Sequence, residues 1–188
     1  MTWAEMQAGE LEWWRAFLAR PNALARLFAL YGYRYLSYFF PEFDDLGDVI
    51  DFGSGPVSAA YIADRPPATV TSIDPLLGAY RADGLIYGSP LAPERIPAGV
   101  FDTALVFNVL DHADDPAELL VAVAASLKPG GKALVWVHVD ALPDGLHRMV
   151  SEDHVREWLR WAGLSVVRDC RRMRGHGGPD EYLALATR

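Results

Sequence analysis

The chain has 188 residues, 51% of them apolar, with a formal net charge of −8 and a pI near 5.0. That length fills one core and leaves no room for two ordinary domains, and the acidic balance argues against nucleic acid as a partner, although a local basic patch such as Arg168, Arg171, Arg172 and Arg174 can hold an anion. The single Cys170 excludes an intramolecular disulfide and a cysteine-held iron–sulfur cluster.

The amino terminus carries Trp3, Glu5, Glu10 and Glu12 instead of a basic segment followed by an apolar run, and no apolar stretch approaches bilayer thickness. A cytoplasmic protein with no membrane partner is the expectation. Over residues 3–40, Trp14, Phe17 and Leu18, then Leu24, Leu27, Phe28 and Tyr31, recur at three- and four-residue steps around a break at Pro21, which predicts two helices. Their aromatic density suits a lid over a site, a contact between two copies in a homodimer, or plain packing on the core. Residues 1–42 are therefore read as a helical cap and 43–188 as an α/β domain.

Val49-Ile50-Asp51-Phe52-Gly53-Ser54-Gly55-Pro56 is a short apolar run, an acid and a glycine pair: a buried strand turning sharply into a helix. Gly53 and Gly55 allow a tight bend and close approach of a ligand, and Pro56 suits a first helical turn. The next apolar run, Val70-Thr71-Ser72-Ile73, ends at Asp74, about twenty residues on, where an acid on a nucleotide-binding sheet meets ribose hydroxyls. A further strand is expected over 85–87, and 101–107 reads as a central parallel strand covered on both faces. Asp114 or Asp115 can cap the helix that follows, with Pro116 in its first turn and Lys128 in its last; 133–139 is then a fifth strand. Ser151 opens a last helix that ends at Gly163, and 164–167 with 182–186 form an antiparallel hairpin at the sheet edge.

Four separated segments agree in order and spacing: the glycine turn, Asp74, the run from Phe101 through Asn108 to Asp111-His112, and Leu127-Lys128-Pro129-Gly130-Gly131-Lys132. Together they resemble the class I S-adenosylmethionine-dependent methyltransferases over residues 47–139, with Val57 where the family usually has a third glycine. A nicotinamide enzyme is the rival, since Gly53, Gly55 and Ser58 come within one substitution of G-x-G-x-x-G. Asp51, the Leu127 to Lys132 segment and the closing hairpin favour the methyltransferases.

The resemblance implies a Rossmann-like seven-stranded sheet with an antiparallel final strand, helices on both faces and an N-terminal helical extension. It implies S-adenosyl-L-methionine as cofactor, with Gly53 and Gly55 against its methionine part, Asp51 orienting that loop, Asp74 on the ribose, and Pro75 and Leu76 flanking adenine. Ser89, within Gly88-Ser89-Pro90-Leu91, would form the other side of the adenine pocket in place of the acid often found there. Asn108 lies where the family meets the methionine end.

The sulfonium methyl is already electrophilic, so such an enzyme must chiefly place the acceptor and remove a proton from its O or N. His112 lies at the carboxyl edge of the sheet and is the first candidate base; His138, ending the fifth strand, is the second. The alternative for His112 is a loop-fixing partner of Asp111. Convergence of Asn108, Asp111, His112 and His138 on a metal is weakened by Asn108 standing where an acid is needed, so no metal is expected. His147 and Arg148 fall in the loop that caps substrate in related proteins. DNA-methylating motifs are missing after the central strand, so the acceptor is expected to be a small molecule; a binding module without turnover is the alternative.

Overall fold

The computed structural model describes residues 2–67, 69–141, 148–174 and 178–188. Six helices and six strands alternate in the order α1 (Trp3–Leu18), α2 (Ala23–Tyr31), α3 (Ser37–Phe43), β1 (Val49–Phe52), β2 (Val70–Ile73), α4 (Leu77–Ala82), β3 (Phe101–Phe107), α5 (Pro116–Ser126), β4 (Leu127–Val139), α6 (Glu152–Trp161), β5 (Ser165–Arg172) and β6 (Asp180–Thr187). A five-residue π-helical turn, Gly32–Leu36, joins α2 to α3, and a short 3-10 turn, Ala59–Ile62, follows β1.

The strands form one sheet in the order β2-β1-β3-β4-β6-β5. The first four run parallel, and β6 is antiparallel to both β4 and β5, as the closing hairpin predicts. The sheet has six strands instead of the expected seven. Residues 85–87 form no strand because their backbone is committed elsewhere: Leu85 N–H donates to Tyr80 O at 2.9 Å and Tyr87 N–H to Pro56 O at 3.0 Å. Gly88 then turns the chain at φ +76, and only Leu91 reaches β2, through a single parallel bridge to Thr71. β4 also begins earlier than expected, directly after α5, with a register shift between Phe101 and Thr103 of its partner.

The helix ends follow their sequence signals. Asp115 caps α5 by accepting from Ala117 N–H at 3.1 Å and Glu118 N–H at 3.0 Å, with Pro116 beside it. Ser151 and His154 make a reciprocal capping box on α6. α3 contains Pro41 and bends at Phe39, whose φ of −100 and ψ of 18 leave the helical region.

Each face of the sheet carries its own core. One holds Ile50, Phe52, Val106, Val135 and Tyr182 under α5 and α6. The other holds Leu105, Phe107, Leu134, Trp136 and Leu183 under Leu27, Tyr31, Tyr35, Phe39 and Phe43 of the N-terminal segment. The residues read as a cap thus share a core with the sheet, and the 42/43 boundary falls inside α3. Aromatic rings dominate the contact: Tyr35 stacks on Phe107 at 4.1 Å and meets Trp136 edge-on at 5.7 Å. Among the described residues no helix is long and apolar enough to cross a membrane.

Leu134 is fully buried between β3 and β6 beneath the aromatic layer. Leu134→Ala is expected to cost roughly 2–5 kcal/mol of stability from lost burial and the cavity left behind, read as a lower urea midpoint with an unchanged slope.

Candidate functional site

Two adjoining cavities open at the carboxyl ends of β1, β2 and β3, where open α/β sheets bind ligands. The smaller, about 250 Å³, is lined by Gly53, Asp74, Pro75, Val109, Asp114 and Leu119 among others. The larger, about 300 Å³, lies between the glycine turn and the N-terminal helices, with Trp13, Trp14, Tyr31, Arg34, Tyr35 and Phe107 in its walls. Gln7, Glu10, Gly53, Asn108 and His112 line both, so the two are halves of one cleft.

The turn after β1 is shaped by glycine and held by carboxylates. Gly53 has φ +68, and a Cβ there would stand 2.5 Å from Val109 Cγ2. Gly55 has φ +57, and a Cβ on it would meet Trp14 of α1 at 2.9 Å. Asp51 is buried and lines neither cavity; its Oδ2 accepts from Ser58 Oγ at 2.5 Å. Its contact is therefore with the loop and not with the cavities. Burial pushes its carboxyl up to about 7, against the lowering effect of hydrogen bonds from Ser58 and the Ala59 N–H.

Asp74 faces the smaller cavity and ties the same turn from the other side. Its Oδ2 accepts from Gly55 N–H at 2.9 Å and its Oδ1 from Leu76 N–H at 2.8 Å. A carboxylate has about four lone-pair sites, so each oxygen keeps capacity for a further donor. Burial raises its carboxyl above the usual range, against those two backbone bonds. Pro75 lines the same cavity, whereas Leu76 and Ser89 line neither. Ser89 is exposed and runs along the outer side of β2 with the segment that bridges to Thr71.

Asn108 sits just past β3 at φ 55, a left-handed conformation that a non-glycine residue adopts at a cost, and Asn more readily than most. Its Oδ1 is buried without a hydrogen-bond partner among the described residues, while the residue lines both cavities. Asp111 is 1% exposed and lies between two imidazoles: His112 Nε2 is 3.9 Å from Oδ1, and His138 Nδ1 is 3.9 Å from Oδ2. Only His112 of these three reaches the cavities; His138 lies behind, its ring edge-on to Trp136 at 4.6 Å. His147 lies outside the described residues. Arg148 fastens the loop, its N–H donating to Asp111 O at 2.8 Å and its guanidinium to Asp114 O and Oδ1 at 2.7 and 2.9 Å. No group of side chains suited to a metal occurs among the described residues.

The contributions of Gln7, Glu10, Trp14 and Arg34 escape sequence reasoning. Their helical periodicity announces burial but not that α1 and the π turn fold back over the glycine loop.

A parallel sheet with a Cβ-free bend after its first strand, a carboxylate at the end of the second and an apolar cleft between them defines a nucleoside-binding α/β protein. The chain belongs to the methyltransferase-domain family, whose model matches residues 20–173. A ubiquinone biosynthesis O-methyltransferase of Marinobacter nauticus is 31% identical over a region covering 40% of each chain, so the match spans under half of that relative. Among solved structures, a SAM-dependent methyltransferase from Leishmania major superposes with a TM-score of 0.65 at 16% identity, covering 96% of this chain and 82% of the other. A 1,6-didemethyltoxoflavin N1-methyltransferase from Burkholderia thailandensis, solved with S-adenosylhomocysteine, superposes with a TM-score of 0.59 at 22% identity, over 80% and 75% of the two chains.

The buried Asp51 carboxyl supplies a pH test. Its folded pKa, about 7, exceeds the ordinary 3.8, so the folded state binds a proton that the unfolded chain releases between those values. Its contribution is fully present below about pH 4 and is lost as pH rises through about 7. Relative to Asp51→Asn, the parent is therefore expected to lose stability progressively from pH 4 to 7, by a few kcal/mol at about 1.4 kcal/mol per unit, measured by urea unfolding across that range.

Proposed function

We propose that this chain transfers the methyl group of S-adenosyl-L-methionine to an O or N atom of a small-molecule acceptor in the cytoplasm. The observation that carries the reading is the two-part cleft meeting at Gly53, Asn108 and His112, with a ribose-type carboxylate at one end and an aromatic chamber at the other. The residues fit the cofactor. Asp74 has spare lone pairs for two ribose hydroxyls, and Pro75, Val109 and Leu119 offer apolar walls to a flat base. The glycine turn leaves room where a Cβ would collide, and the buried Asn108 Oδ1 offers an acceptor for an ammonium.

When bound, the cofactor supplies an electrophilic methyl group on a positively charged sulfur. The protein's task is then placement, exclusion of water and disposal of one proton. The aromatic walls of the larger chamber hold an acceptor and keep water out. His112 is the base of this reading: it reaches the chamber and is backed by Asp111, which stabilises an imidazolium once the acceptor's proton has moved to the ring. His138 acts through Asp111 as a positioning residue. The O-methyltransferase relative and the N-methyltransferase neighbour both support transfer to a heteroatom of a small molecule. A homodimer would use the outward faces of the N-terminal helices, where Trp13, Tyr33 and Phe40 are exposed.

Two measurements test this. Asp74→Ala removes charge-assisted hydrogen bonds worth about 1.5–3 kcal/mol, so its dissociation constant for S-adenosylhomocysteine in calorimetry should rise roughly tenfold or more; unchanged affinity contradicts the assignment. His112→Ala should lower turnover roughly 10²- to 10⁴-fold, scored as S-adenosylhomocysteine formed with a pool of phenolic and amine acceptors, while cofactor affinity stays near that of the parent. Tight binding with no product from any acceptor would leave the chain a binding module.

A further inference from the structure

We propose that the acceptor is a planar aromatic molecule bearing a carboxylate, and that Arg34 is the residue that selects it; this rests on the larger chamber being the acceptor site of the methyl-transfer reading. Arg34 lies in the π-helical turn and lines that chamber. Its guanidinium stands over the Trp136 ring at 4.8 Å, and its Nε is buried with no hydrogen-bond partner among the described residues. The guanidinium otherwise meets the Tyr35 hydroxyl, so the buried Nε is the donor whose missing acceptor a ligand can supply.

The nearest carboxylate does not meet that need. Glu181 Oε1 is 4.0 Å from Arg34 Nε, too far for a hydrogen bond, and Glu181 is fully buried with two closer partners, Arg174 at 2.6 Å and Arg172 at 3.2 Å. Three guanidiniums around one carboxylate leave two positive charges unmatched within the cluster, in a chain whose net charge is −8. Among the described residues, Asp180 and Asp140 both pair with Arg171, and Glu42 pairs with Arg168. The Arg34 end of the chamber is thus cationic, in surroundings where screening by water is weak.

The shape of the chamber names the rest of the ligand. Trp14, Tyr31, Tyr35 and Phe107 present ring surfaces, which suit a flat aromatic body. A guanidinium matches a carboxylate through two parallel N–H donors, so the anion would also set orientation. Arg34 and Glu10 give the lining one positive and one negative side chain, and an acceptor with a single anionic end is turned by that polarity so that its other end can face His112.

The test compares 2-naphthoate with the uncharged isostere 2-naphthamide by calorimetry on the full chain, with and without S-adenosylhomocysteine. The carboxylate should bind at least tenfold more tightly than the amide, about 1.4 kcal/mol. Arg34→Gln should erase the preference and Arg34→Lys should keep part of it, with S-adenosylhomocysteine affinity unchanged in both. Equal binding of the two probes, absence of binding by either, or a preference that survives Arg34→Gln overturns the proposal. The comparison in the parent protein needs no variant to fold. Failure of S-adenosylhomocysteine to bind in its own titration would instead count against the methyl-transfer reading, whatever the probes do.

Discussion

One buried and one part-buried carboxylate hold the turn that follows β1, and the shape of the cleft depends on them. A carboxylate taken out of water must find donors, and in this chain the donors are the loop itself: Ser58 Oγ and the Ala59 N–H for Asp51, and the Gly55 and Leu76 N–H groups for Asp74. The backbone between β1 and the 3-10 turn is thus pinned from two directions, with glycine at the two positions where φ is positive. Asp74 serves this architecture with one lone pair on each oxygen and leaves the others toward the smaller cavity. One side chain thus both supports the loop and faces the smaller cavity.

Above the turn, the N-terminal helices contribute a wall, and not an appendage. Trp14 covers Gly55, Tyr31 donates to Val57 O at 3.1 Å, and Tyr35 lies on Phe107. Tyr31, Arg34 and Tyr35 stand at i, i+3 and i+4 where α2 runs into the π turn, and so reach the chamber together. The helix that supplies Gln7, Glu10, Trp13 and Trp14 lies outside residues 20–173, where the family model matches. That helix lines both cavities, while Tyr31, Arg34, Tyr35 and Phe107 of the larger one lie inside the matched region.

This division suits methyl transfer. The sulfonium methyl needs little activation, so one nucleoside-binding frame can serve many acceptors if the covering helices change. The Burkholderia and Leishmania structures share the fold at low sequence identity.

Local signals in the sequence determined the parallel strands, the cap at Asp115, the bend at Gly53 and Gly55, and Asp74 at the end of β2, because each depends on residues close together along the chain. The same signals overstated the sheet: 85–87 is apolar enough for a strand, but its N–H groups are taken by Tyr80 and Pro56, partners that periodicity does not reveal. Likewise His112 and His138 are first and second candidate bases at one sheet edge, and Ser89 looks like part of an adenine pocket. Only tertiary structure decided that His112 reaches the cleft, that Asp111 stands between the two imidazoles, and that Ser89 faces outward. It also decided that Arg34 meets a carboxylate already claimed by two other arginines. Those outcomes turn on packing between residues apart in sequence, from tens of positions for Asp111 and His138 to more than a hundred for Arg34 and Glu181, where burial and competition for hydrogen-bond partners, not local propensity, set which side chains line the cleft.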